Sequence, residues 1–212
     1  MSDLEATRGR DLRTGLSLEV ITVSYNILEA VLALGIGIAT RSISLETFGL
    51  DSIIEVSAGV ILIWRLNSER SGAEGEHVEA VERRASRWVG GTLFALAVYV
   101  LFQSIYSLVA REQSEPSIWG IALALASLLV MPVLALFKLR IAKRIGSRAL
   151  RADAFETIAC AYLSLTLLVG LGANYLFGWW WADPVAALAM IYFIVHEARE
   201  AWSGENDADP GK

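Results

Sequence analysis

The sequence is short of three things that much protein chemistry depends on. It contains one cysteine in 212 residues, so an intrachain disulfide is excluded, and that residue, Cys160, falls inside an apolar run. It contains two histidines, His77 and His196, and no Ser-His or zinc-hydrolase spacing. Charge is scarce as well: 19% of residues are charged and 55% hydrophobic, with a mean hydropathy of +0.49. A soluble domain of this length would carry more charge and far less uninterrupted apolar sequence.

What the chain has in quantity is hydrocarbon. Runs of about 20 apolar residues are long enough to cross a bilayer core of roughly 30 Å. Six such runs lie at about 15–39, 43–66, 85–110, 118–139, 147–171 and 179–201. The expected fold is therefore an all-α integral membrane protein of six transmembrane helices. A cytoplasmic arm (1–14) would precede the 15–202 membrane domain, and a short flexible cytoplasmic tail (203–212) would follow it. The first run is long and lacks a small-residue cleavage site, so it reads as a retained helix rather than a signal peptide.

Lys and Arg orient the helices, because cytoplasmic loops carry the excess of both. Sixteen of the 18 basic residues lie in the N-terminal arm, after spans two and four, or in the tail; only Arg41 and Arg111 fall on the other side. Both termini are thus expected in the cytoplasm of a multi-pass protein of the cell (inner) membrane. The seven tryptophans sit near predicted span ends, where amphipathic rings settle at the headgroup level, so "WWW" at 179–181 reads as interfacial belt rather than cofactor box. The net charge of −5 comes from acidic segments outside the spans and requires no cationic partner by itself; no nucleic acid is expected as a partner.

Against that background, a few acids are conspicuous. An ionisable residue at mid-membrane costs roughly 2.5–3.5 kcal/mol on insertion scales, so such residues usually face a bundle interior. Span two carries Asp51 and Glu55, and span five carries Glu156 and Cys160, each pair at i and i+4 on one helix face. Span one adds a polar stripe of Glu19, Thr22, Asn26 and Glu29. Spans two and five run antiparallel under this topology, so the two pairs lie at similar depth and can meet. Asp153 reads as a helix-start residue, favourable at the positive end of the helix dipole. No Lys or Arg is expected deep in any span.

Three carboxylates and a thiol without a permanent positive partner repel one another when ionised, so a cation must compensate them. Carboxylate oxygens with a cysteine sulfur suit a four-coordinate divalent metal such as Zn²⁺. The thiolate favours Zn²⁺ or Cd²⁺, whereas the oxygens admit Mn²⁺, Fe²⁺ and Co²⁺. Because ligands must lose protons to bind metal, metal and protons exchange at one site. Asp51, Glu55, Glu156 and Cys160 are the expected metal ligands, with Asn26, Glu29 and Asp153 as supporting or proton-handling residues. Isolated polar residues such as Gln103, Ser104 and Ser107 read as hydrogen-bonding glue between helices.

These residues resemble the cation diffusion facilitator family. Its six-helix membrane domain, with both termini cytoplasmic, matches the expected topology. "SISLETFGLDSIIE" is similar to the family stretch that ends in a D/H-x-x-x-D pair, mapping onto Asp51 and Glu55. "RADAFETIAC" is similar to A-D-x-x-H-x-x-x-D, placing Glu156 at the His position, Cys160 at the final Asp and Asp153 at the first. Asp183 and Pro184 match the D-P-x-x-A opening of span six. The resemblance covers about residues 25–202 and implies a proton-coupled exporter of zinc and related metals, working as a homodimer. The chain departs from the family in three ways: no cytoplasmic domain is expected after span six, the site has no histidine, and "EGEHVEAVE" offers one histidine where family loops are richer.

The leading reading is a transporter that exchanges a divalent metal, Zn²⁺ first, for protons by alternating access around a mid-membrane site. The alternative is a metal-binding membrane sensor or partner subunit without transport. An enzyme is not expected. An aspartyl intramembrane protease needs two aspartates facing each other across helices, and this set does not supply them.

Overall fold

The computed structural model describes residues 2–70, 76–112, 114–115 and 117–203. The described residues form six helices: α1 (Ser2–Thr40), α2 (Ile43–Arg70), α3 (Glu76–Ala110), α4 (Ile118–Ile145), α5 (Arg148–Phe177) and α6 (Ala182–Ser203). No strand occurs among the described residues. Helix is the form expected of apolar runs this long, since a bilayer offers no partner for an unpaired backbone group. Among the described residues, five helices are long and apolar enough to cross a membrane; α6 is the exception, with Asp183, His196, Glu197 and Arg199 bracketing its hydrophobic middle.

Helix ends follow local chemistry. Ser117 and Ser147 cap α4 and α5, their hydroxyls accepting from the Gly120 and Leu150 amides. Gly146 and Gly178 end the same helices in the left-handed region, at φ 69° and 66°. The exposed outer surface is hydrocarbon, including Val31, Phe102, Val109 and Leu176, as lipid-facing helices require. Trp64, Trp119, Trp179, Trp181 and Trp202 are also exposed. The side chains of His77 and Trp88, and all of residues 204–212, lie outside the described residues.

Three helix pairs pack most extensively: α1 with α2, α4 with α5, and α3 with α6. Contacts of α1 with α4 and of α2 with α5 close the first two pairs into a four-helix bundle. The α3/α6 pair lies against its α2 and α5 side. Small residues allow the closest approaches. A Cβ on Gly59 would sit 2.5 Å from the Val23 side chain, and one on Gly170 would sit 2.4 Å from Ala186 Cβ.

At the end carrying the 41–42, 111–117 and 178–181 connections, side chains replace the missing helical hydrogen bonds. Asp183, fully buried at the start of α6, accepts from Ser42 Oγ (2.6 Å), the Ile43 amide (2.9 Å) and Ser44 Oγ. It thereby caps the N-terminus of α2 from another helix. Asn174 Nδ2 donates to the carbonyl and hydroxyl of Ser114, both at 3.0 Å. At the opposite end, Leu12, Leu62, Leu66, Ile141, Ile145 and Leu150 close the bundle with an apolar cluster.

Candidate ion-binding site

The bundle interior gathers the acids of α1, α2 and α5. Asp51 is 1% exposed and Cys160 is fully buried, whereas Glu55 and Glu156 keep partial exposure. Glu55 lies beside Asp51, Glu29, Glu156 and the Cys160 thiol. Its Oε2 accepts a 2.7 Å hydrogen bond from Asn26 Nδ2, which anchors α2 to α1. Glu29 Oε2 accepts from Ser52 Oγ at 3.1 Å, and Tyr25 and Ser127 stand beside it. The polar stripe on α1 and the paired acids on α2 therefore face each other across one interface.

Three oxygens in this cluster are buried with no hydrogen-bond partner among the described residues: Asn26 Oδ1, Glu29 Oε1 and Asp51 Oδ1. Leaving a buried acceptor unpaired costs about 1–3 kcal/mol. All three are acceptors, so the group that satisfies them must be positive or must donate a proton. Among the described residues, no three His, Cys, Asp or Glu side chains converge as a ready metal cage. Glu55 instead engages the Asn26 amide and Glu29 the Ser52 hydroxyl, so a metal ion would have to draw them inward.

The basic residues required a correction. Lys138, placed by its sequence at the mouth of span four, is 0% exposed inside α4. Its ammonium lies 2.9 Å from Glu19 and 2.5 Å from Asp153, and donates to Thr157 Oγ1 at 3.3 Å. Asp153 is thus no helix-start residue. It sits in the second turn of α5 as half of an ion pair, and the Coulomb attraction to Lys138 holds it there. Glu19 likewise belongs to this ion group rather than to the Asn26–Glu29 end of its stripe. The sequence did carry a signal: Met131, Leu134, Lys138, Ile141 and Ile145 form one buried stripe at helical spacing. Sequence reasoning also missed Tyr25, Ser52 and Ser127 around Glu29, because hydroxyls at helical positions are common and carry no distinguishing pattern.

Fold and site together define a multi-pass membrane protein with an acidic, cation-seeking centre. The sequence profile of the cation efflux transmembrane domain matches residues 20–203, so the chain belongs to the cation efflux family. It is 26% identical over 195 residues to an uncharacterized transporter of Synechocystis, covering 89% of this chain and 63% of that protein. It is 23% identical to a manganese efflux system protein of Bacillus subtilis, covering 91% and 66%. A cation-efflux pump of Klebsiella pneumoniae is 24% identical, with 75% and 54% covered. The chain thus spans less than two thirds of the length of these relatives.

Proposed function

We propose that this chain exchanges a divalent metal ion for protons across the membrane, with Asp51, Glu55, Glu156 and Cys160 as ligands. Asn26 and Glu29 orient the carboxylates or receive their protons. The observation that carries this reading is the group of unpartnered buried oxygens on α1 and α2, next to the thiol of α5. The Cys160 sulfur favours Zn²⁺ and Cd²⁺, and the carboxylates admit Mn²⁺, Fe²⁺ and Co²⁺, with manganese efflux the named role of one relative.

The cycle follows from ligand chemistry. From the cytoplasm, a metal ion enters from the side of the bundle rather than along its axis. It meets Glu55 and Glu156 first, because these two acids keep some exposure, and draws in Asp51 and Cys160. Binding expels protons, since metal and protons compete for the same lone pairs. Movement of the α3/α6 pair against the bundle would open the site to the other side, where protons reload the carboxylates and release the ion. The homodimer implied by the family would form through membrane helices, with the exposed face of α3 as the contact.

Titration calorimetry of the detergent-solubilised protein, in buffers of different ionisation enthalpy, tests the site. Metal binding should release protons, and apparent affinity should rise with pH. Asp51→Ala should weaken binding at least tenfold. Unchanged affinity in Asp51→Ala, or binding without proton release, would overturn this assignment.

A further inference from the structure

Three layers stack along the axis of the α1/α2/α4/α5 bundle. The first is the ion-binding layer of Asn26, Glu29, Asp51, Glu55, Glu156 and Cys160. One to two helical turns on, about 5–10 Å by helix geometry, Lys138 meets Glu19 and Asp153. At this level Gly59 of α2 is so close that a Cβ would lie 2.7 Å from Glu19 Oε1. Beyond it comes the apolar cluster of Leu12, Leu62, Leu66, Ile141, Ile145 and Leu150. By chain position this order holds on α1, α2 and α5, and on α4 Lys138 precedes Ile141 and Ile145.

The middle layer is a cation cage already filled. Glu19 is 1% exposed and Asp153 14%, and with Thr157 Oγ1 they surround one ammonium that has no access to solvent. Stability alone is a weak reason for such a group, since an apolar set of equal volume often serves as well. The ammonium denies a metal ion this cage.

We propose that Lys138 is a tethered cation that seals the bundle axis: it occupies the carboxylate cage of Glu19 and Asp153, so that neither metal nor protons pass along the axis. Lys138 is then a coupling residue rather than a ligand. Sealing matters to exchange, so this role rests on the transport reading above, but occupancy of the cage can be measured without transport.

The test uses Lys138→Met, which keeps the apolar stem and removes the charge, with Lys138→Arg and Lys138→Met/Glu19→Gln as controls. Mn²⁺ binding is counted by equilibrium dialysis in detergent. Lys138→Met should bind one ion more than the wild type, whatever number the wild type binds, and propylammonium should compete for that extra ion. The two controls should bind the wild-type number. In metal-free proteoliposomes, Lys138→Met should pass protons several-fold faster than the wild type, and Lys138→Arg should remain tight. Recovery of folded Lys138→Met only when Mn²⁺ is supplied would also support the cage. Wild-type ion count and wild-type proton tightness in folded Lys138→Met would overturn the proposal. So would a Lys138→Met protein that Mn²⁺ cannot rescue while the double variant folds, because the residue would then serve folding alone.

Discussion

At the scale of single residues, the proposed site would trade stability for binding. Asp51 keeps a buried, unpartnered oxygen beside Glu29 and Glu55, and such an acid destabilises the ion-free protein. Asp51→Asn should therefore stabilise the metal-free protein by about 1–2 kcal/mol and raise its melting temperature, while abolishing the further rise on adding metal. Melting curves with and without Zn²⁺ or Mn²⁺ check this; a lower metal-free melting temperature would mark Asp51 as a structural residue. Cys160→Ser replaces the soft donor with a hydroxyl. The ratio of Zn²⁺ to Mn²⁺ affinity should fall about tenfold or more, as removal of the thiolate predicts. Competition binding measures that ratio, and an unchanged ratio would remove Cys160 from the ligand set. The acids themselves were legible in the sequence, because a carboxylate in an apolar run has few bland explanations. Lys138 was legible only as a member of an apolar stripe, because a lysine near a span end normally reaches for the headgroups, and the three-dimensional position of Glu19 and Asp153 shows why it turns inward.

At the scale of elements, the helices hold each other's ends. Asp183 of α6 caps α2, the helix that bears Asp51 and Glu55, through one amide and two hydroxyls. Asp183→Ala would leave those donors buried without an acceptor and should cost about 3 kcal/mol or more. The expected result is a clear fall in melting temperature, with Asp183→Asn intermediate; an unchanged value would mean that the cap is dispensable. Helix number and type could be read from the lengths of the apolar runs. Helix ends could not: α4 runs to Ile145, six residues past its apolar stretch, because a helix leaving the bilayer needs a stop signal and finds none before Gly146. The motif around Asp183 was legible as a resemblance, but its role as a cap depends on a neighbour some 140 positions away in sequence.

At the scale of the whole molecule, a four-helix bundle carries the site and the α3/α6 pair flanks it. That partition was not legible in the sequence, since nothing in the periodicity of the six runs names their neighbours. The most direct measurement is flux in proteoliposomes containing a trapped pH indicator, with Zn²⁺, Cd²⁺, Mn²⁺, Fe²⁺ or Co²⁺ added on one side. The exchange reading predicts metal uptake with simultaneous proton movement in the opposite direction, accelerated by an imposed pH gradient and lost in Asp51→Ala. Folded protein that binds metal yet moves neither metal nor protons would contradict it, and would leave a metal-binding membrane sensor or partner subunit in its place.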